Sequence, residues 1–323
     1  MTRLHILKAG LFTTVQDGGR PGFATAGVSA CGAADRVAWR AGNALLGNAP
    51  DAAALECTRL GPSLQFEEDT WIAWTGAPSL GHWHAQLVRA GSPVTCPPIR
   101  DGARAYLCIR GGIEVPAVLG SRATHVSSGL GGLEGRTLRT GDGLKTGEQI
   151  HTRVKEQLRI DPETIPSYSH REALRLVPSV QTDWFDERAL TQLVETVWSV
   201  AEQSDRMGIR LLGKPTSSQP TSPGGASIRV PIHEPIRMPA RELASEGVML
   251  GALQVPPSGQ PILLFVDHQT SGGYPKIAAL IQADHARAGQ LHPGRKLRFA
   301  WVSLEAARAA LREQEAALRA IEG

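Results

Sequence analysis

No sign of charge dominates this chain, and no apolar run in it is long. Lysine and arginine number 34 against 31 aspartates and glutamates in 323 residues. That near-neutral balance, with no concentrated basic stripe, gives no indication of nucleic acid as a partner. No run approaches the roughly 20 apolar residues of a membrane span, and the opening MTRLHILKAGLFTTVQDGG has neither the apolar core nor the small-residue cleavage site of a signal peptide. A cytoplasmic location away from membranes is therefore expected. Cysteine is scarce: Cys31, Cys57, Cys96 and Cys108 are widely spaced and form no C-x-x-C pair. This suits reduced, structural thiols rather than a disulfide framework or a zinc site. His82 and His84 are the only close histidine pair, and with no further ligand at useful spacing no metal site is expected. The chain also has no P-loop, no Rossmann fingerprint and no biotin-carrier block with a lysine between methionines.

What the chain does have is punctuation: 35 glycines and 22 prolines divide short apolar or alternating runs. Leu55 to Leu60, Ser63 to Phe66, Trp71 to Thr75 and Gln86 to Arg89 are separated by Gly-Pro and Gly-x-Pro turns. Strands are also expected at residues 3–7, 12–16, 173–177 and 195–200. From Arg104 to Arg110 the alternation places Arg104, Tyr106, Cys108 and Arg110 on the more polar face of a strand. Helical spacing is confined to three places. Val37, Ala41, Ala44 and Leu45 follow Asp35 as N-cap and precede Gly47 as C-cap, a short helix runs around Asp186 to Leu193, and Ser303 caps a long C-terminal helix. Leu304, Ala307, Leu311, Leu318 and Ile321 form that last helix's apolar stripe, interrupted by Gln314, and the helix is expected to dock on its own domain. The segment PTSSQPTSPGGAS reads as a solvent loop. Many short strands and few helices give a mainly β protein with some α, built from β-barrels rather than a doubly wound sheet. The expected division is a barrel domain at 1–145, a charged linker at 146–172, a second barrel at 173–302 and the C-terminal helix at 303–323.

Two stretches concentrate functional groups. VDHQTSGGYPKIA, residues 266–278, follows the apolar run Ile262 to Phe265 and packs a carboxylate, an imidazole, an amide, hydroxyls, a glycine pair, a tyrosine and a lysine into a few positions. Its Gly272 and Gly273 permit positive φ or close backbone approach. The other stretch is TVQDGGRPGF, where Gln16, Asp17 and Arg20 surround a tight glycine loop. A third glycine pair, Gly111-Gly112, follows Arg110.

Taken together, TVQDGGRPGF, GAADRVAWRAGNALLGN, LECTRLGPSLQF, AYLCIRGGIEVPAVLGSRAT, SDRMGIRLLG, SEGVMLGALQVPPSGQPILLFVDHQTSGGYPKIA and QLHPG resemble the biotin-dependent carboxyltransferase family. That family includes KipA-like proteins, the C subunit of bacterial 5-oxoprolinase and the equivalent part of urea amidolyase. The resemblance spans roughly residues 3 to 303 and implies two cyclophilin-like β-barrel domains. His268 stands where the family often has arginine, Ala123 where serine is common, and Gly42 where alanine is more usual.

The resemblance further implies an assembly with a KipI-like protein, with a LamB/YcsF-like protein as third member, and ATP-dependent opening of 5-oxoproline to glutamate. ATP would then be bound mainly by a partner. The alternatives are carboxyl transfer to urea or an amide, with biotin on a separate carrier, or a KipA-like regulatory protein that antagonises a KipI-type kinase inhibitor. A lactam or carboxylated substrate presents a planar carbonyl and a carboxylate, which arginine forks match. Arg20, Arg110, Arg122 and Arg206 are the candidate anion ligands, with Gln16 and Thr270 beside them. Backbone amides at Gly111, Gly112, Gly272 and Gly273 are candidate oxyanion donors. Asp17, Glu246 and Asp267 are candidate acids or bases, and Tyr274 and Lys276 candidate donors. The expected site is a cleft in which the QDGGR loop and the Arg110-Gly112 strand end face residues 266–276.

Overall fold

The computed structural model describes residues 1–148, 153–166, 168, 172–214 and 235–323. The segment PTSSQPTSPGGAS lies outside them. Two compact units are present: Met1–His170 with His285–Leu291 and Ala309–Gly323, and Arg171–Asp284 with His292–Arg308. The stretch 146–172 contributes the short strand Arg159–Ile160 to a sheet of the first unit.

Two antiparallel sheets form the first unit. One has five strands in the order Pro93–Thr95, Ser63–Phe66, Arg3–Lys8, Gly143–Thr146, Ile113–Glu114. The other has six, in the order Arg159–Ile160, Trp83–Val88, Thr70–Gly76, Arg104–Ile109, Ala54–Thr58, Phe12–Gln16. Period-two alternation sends Leu4, Ile6, Leu64 and Phe66 from the first and Leu55, Ile72, Leu107 and Ile109 from the second into one core. Each fully buried side chain of this kind contributes about 1.5–3 kcal/mol relative to exposure.

The opposite face of the six-stranded sheet is covered by α1, Arg36–Leu45, whose Val37, Ala38, Ala41 and Leu45 join Ala73, Trp83, Tyr106 and Cys108 in a second core. All six residues of Arg104–Ile109 are consequently buried. The face that alternation marks as polar is a helix-packed face, and Arg104 lies inside it. Asp35 caps the helix as expected, accepting from Ala38 N at 2.9 Å. Gly42 is explained by proximity: a Cβ there would lie 2.5 Å from Cys108 Sγ and 3.1 Å from Thr75 Oγ1. The loss of helix propensity is exchanged for close packing on the sheet. All four cysteines are buried free thiols.

In the second unit an eight-stranded sheet runs Lys296–Leu297, Val197–Val200, Gly208–Lys214, Ile262–Leu264, Ala252–Gln254, Lys276–Leu280, Leu174–Pro178, Phe299–Trp301. Its two end strands are consecutive in the chain and separated only by Arg298, so the sheet curls back on itself into a nearly closed barrel. Among the described residues, only the Leu174–Pro178 and Phe299–Trp301 pair is parallel. A separate two-stranded antiparallel ribbon pairs Glu246–Gly247 with Ser271–Gly272. This unit also holds α2, Glu187–Glu195, with Asp186 accepting from Ala189 N at 2.8 Å, whereas the short α3, His285–Ala288, belongs to the first unit.

The C-terminal helix α4, Leu304–Glu322, starts at Ser303, whose Oγ accepts from Ala306 N at 3.1 Å. Its buried line is Ala310, Gln314 and Leu318, while Leu304 is half exposed. Gln314, which breaks the apolar stripe, is at the centre of the docked face and donates to Pro166 O at 3.2 Å. Arg40 of α1 reaches Glu315 at 2.7 Å and Glu322 at 2.8 Å. Among the described residues no helix is long and apolar enough to cross a membrane.

Candidate functional site

In the first unit the QDGGR loop is held from every side. Asp17 leaves the end of strand Phe12–Gln16, and its carboxylate accepts from Gly19 N at 2.8 Å, Ser121 Oγ at 2.6 Å and Arg122 N at 2.5 Å. Gln16 donates to Thr14 Oγ1 at 3.1 Å and Thr124 O at 2.9 Å. Gly19 has φ of +84°, and a Cβ on it would lie 2.6 Å from Ala30 O, so only glycine lets the two backbone segments meet. Arg20 is 1% exposed. Its Nε donates to Val118 O at 3.3 Å, its Nη2 donates to Ala123 O, and Nη1 is sealed without a partner. The Arg122 guanidinium reaches Glu114 Oε1 at 3.1 Å.

Arg110 donates to Leu46 O at 2.9 Å. The amides of Gly111 and Gly112 are engaged, the first with Asn48 Oδ1 at 2.8 Å and the second with Ile109 O at 2.8 Å. With their hydrogens committed to the fold, these two amides do not offer the oxyanion donors expected of them.

Beneath α1 lies a buried polar network that sequence reasoning missed. Asp35 Oδ2 accepts from Tyr168 Oη at 2.6 Å and Gln290 Nε2 at 2.7 Å. Tyr106 Oη accepts from Asp35 N at 2.8 Å and donates to Glu56 Oε2 at 2.6 Å. Arg104 faces Glu56 at 3.4 Å and donates to Gly289 O at 2.5 Å. Burial pushes the Asp35 carboxyl up to about 6, against the opposing hydrogen bonds from Ala38, Gln290 and Tyr168.

In the second unit, residues 266–276 divide into a root and a tip. At the root, Arg206 grips Asp267 bidentately, Nε to Oδ2 at 2.8 Å and Nη2 to Oδ1 at 2.9 Å, with both side chains buried. The anion ligand expected of Arg206 is thus supplied by the chain itself. Towards the tip, Gly272 pairs with Glu246 in the two-stranded ribbon, and Thr270 O accepts from Val248 N at 3.1 Å. Neither Gly272 nor Gly273 has a positive φ. Close approach is what calls for glycine at 272, where a Cβ would lie 2.8 Å from Gln254 Nε2.

Lys276 is only 3% exposed. Its ammonium donates to Glu246 Oε1, and Gln181 Nε2 donates to the same oxygen at 2.7 Å. Gln181 Oε1 in turn accepts from Lys276 N at 3.3 Å. Hydrogen bonds from Lys276 and then Gln181 hold the Glu246 carboxyl below its usual range. That carboxylate remains 40% exposed, so a sealed ammonium is presented through a carboxylate that solvent reaches. Tyr274 is 43% exposed, and its carbonyl accepts from Gln254 Nε2 at 3.3 Å. Gln181 and Gln254 carried no sequence signal: a glutamine after a strand or within one is common, and only tertiary pairing gives these two a role.

The family described as the carboxyltransferase domain, subdomains A and B, matches residues 26–301. The chain belongs to this family. It is 37% identical over 321 residues to the C subunit of 5-oxoprolinase from Escherichia coli strain K12, covering 97% of this chain and 95% of that protein. The Haemophilus influenzae protein of the same name is 36% identical with the same coverage. Among solved structures, that of the K. lactis urea amidolyase superposes with a TM-score of 0.81 at 27% identity, over 99% of this chain and 20% of that one. Carboxyltransferase-family members thus occur both as separate proteins and as one part of a much longer chain.

Proposed function

We propose that this chain is the C subunit of a heteromeric, ATP-dependent 5-oxoprolinase that converts 5-oxo-L-proline to L-glutamate in the cytoplasm, its partners being a KipI-like protein and a LamB/YcsF-like protein. The observation that carries this reading is the end-to-end relationship with two proteins named as the C subunit of 5-oxoprolinase, over 97% of this chain.

The Lys276–Glu246–Gln181 cluster suits the chemistry. Net hydrolysis breaks the lactam C–N bond, places the oxygen of water on the carbonyl carbon and leaves the ring nitrogen as an ammonium. Negative charge develops on the carbonyl oxygen, and a preorganised ammonium such as Lys276 is suited to stabilise it. Glu246, ionised and oriented by Gln181, is positioned to take a proton from the attacking water. ATP supplies driving force through its hydrolysis to ADP and phosphate. The amides of Gly19, Gly111 and Gly112 are engaged internally, which favours a partner as the main ATP site.

The test is reconstitution. The chain alone should form no glutamate from 5-oxoproline and ATP, and adding both partners should produce it. In that assembly Lys276→Met should lower kcat by about 100-fold, the scale of losing one oxyanion donor. Full turnover by the isolated chain would refute the assembly. The likeness to urea amidolyase supports a second reading, carboxyl transfer to urea or an amide from biotin on a separate carrier. Transfer to urea from a carboxylated carrier, without 5-oxoproline turnover, would favour it. A reconstituted mixture that is silent in both assays while the chain still binds the KipI-like protein would point to a KipA-like regulator.

A further inference from the structure

His268 follows the clamped Asp267 in the chain and precedes the strand Ser271–Gly272, and its ring has one committed and one uncommitted edge. Nδ1 lies 2.6 Å from Gln269 O. A carbonyl oxygen can only accept, so Nδ1 carries the proton. Burial disfavours a second proton on the ring, with Gln269 O and Asp267 opposing more weakly. At neutral pH Nε2 therefore presents a lone pair. No donor among the described residues bonds to it, and Nε2 is not among the side-chain atoms sealed without a partner. The backbone on either side is fixed: His268 N donates to Phe265 O at 2.9 Å, and Asp267 N to Arg206 O at 2.8 Å. The residue is 8% exposed, so the ring is packed in place with Nε2 left within reach of solvent.

We propose that His268 is a specificity-determining residue whose Nε2 accepts the amide N–H of the substrate. This deepens the lactam-opening reading and rests on it. A secondary amide offers one acceptor, its carbonyl oxygen, and one donor, its N–H. Residues 268–276 carry one candidate of each kind, Lys276 as the donor and His268 as the acceptor. An acceptor in a largely buried site discriminates strongly against an analogue that lacks the matching donor, because the lone pair is then left unpaired.

The experiment compares 5-oxoproline with its N-methyl analogue, in which N–CH3 replaces N–H, using the reconstituted assembly. Both turnover and calorimetric binding are measured. The wild type should prefer the N–H lactam by about 100-fold or more in kcat/KM. His268→Ala should lower kcat/KM for 5-oxoproline by about 10-fold or more, mainly through KM, and compress the preference. His268→Gln, which restores an acceptor, should recover part of it, which a merely structural role for the ring would not predict. Unfolding midpoints of both variants separate a folding defect from a recognition defect. Unchanged preference in His268→Ala, with the wild type turning over 5-oxoproline, overturns the inference alone. Discriminating binding by the wild type, lost in His268→Ala, with no glutamate formed, supports the inference and overturns the turnover reading. A wild-type assembly that binds neither lactam overturns both.

Discussion

The stretch 16–22 and the stretch 266–276 look alike as strings, each a polar run around glycines, yet their hydrogen bonds go to different places. Every oxygen of Asp17 is accepting from the chain, and the amide of Gly19 points inward to it. In the later stretch only the root is closed in this way, by Arg206 and Asp267. Its tip holds Lys276 behind a solvent-reached Glu246 and leaves His268 Nε2 without a donor among the described residues. Crowding of functional groups thus has two outcomes, a closed frame or a stretch that solvent still reaches. What separates them is whether the groups satisfy one another.

The largest effect should come from breaking the root. Arg206→Ala leaves a buried carboxylate without its cation and should cost about 3–5 kcal/mol in denaturant unfolding. Replacing both partners with apolar residues should recover much of that loss. Asp17→Ala strands three donors and should cost about 3 kcal/mol or more; a loss well under 1 kcal/mol would remove the first stretch from the frame.

Asp35 tests the frame through pH. Its folded value near 6 lies above the ordinary 3.8, so the folded state binds the extra proton and the ionised form carries a penalty. That penalty amounts to about 3 kcal/mol at pH 7. It is relieved as pH falls from above 6 towards 4. The stability difference between wild type and Asp35→Asn, measured by urea unfolding across that window, should therefore shift in favour of the wild type at the acidic end.

Lys276→Met sharpens the contrast, because it should cost about 1 kcal/mol or less in stability while removing most activity. A loss as large as that of Asp17→Ala would make the tip another piece of frame. The smallest effect is expected for Glu246→Gln, roughly 0.5 kcal/mol at neutral pH. Because the folded carboxyl of Glu246 is depressed, its contribution is present above the ordinary value of 4.5 and is lost as pH falls through the lowered one. The gap between wild type and variant should close in acid.

Local chemistry was legible in the sequence. Asp35 and Ser303 cap their helices because a cap needs only residues three positions away. The mainly β architecture followed from turn punctuation. What the sequence concealed depends on distant pairing. Alternation placed Arg104 on the more polar face of its strand, and nothing local indicates that α1 covers that face. Gln314 broke an apolar stripe, yet it is buried because Pro166 supplies an acceptor. Gly111 and Gly112 looked like free donors because Asn48, which occupies one of them, is 63 residues away. Glu246 was singled out for its charge alone, and the glutamine that orients it comes from another strand end.

Gln290 joins the first unit from far along the chain, bonded to Asp35, Ala103 and Arg104. During synthesis these sheets emerge before Gln290 does, so their buried carboxylate and the two amides at Ala103 and Arg104 must wait for a partner 186 to 255 residues further along the chain. Until then, a nascent chain exposes an unsatisfied polar seam where a chaperone can act.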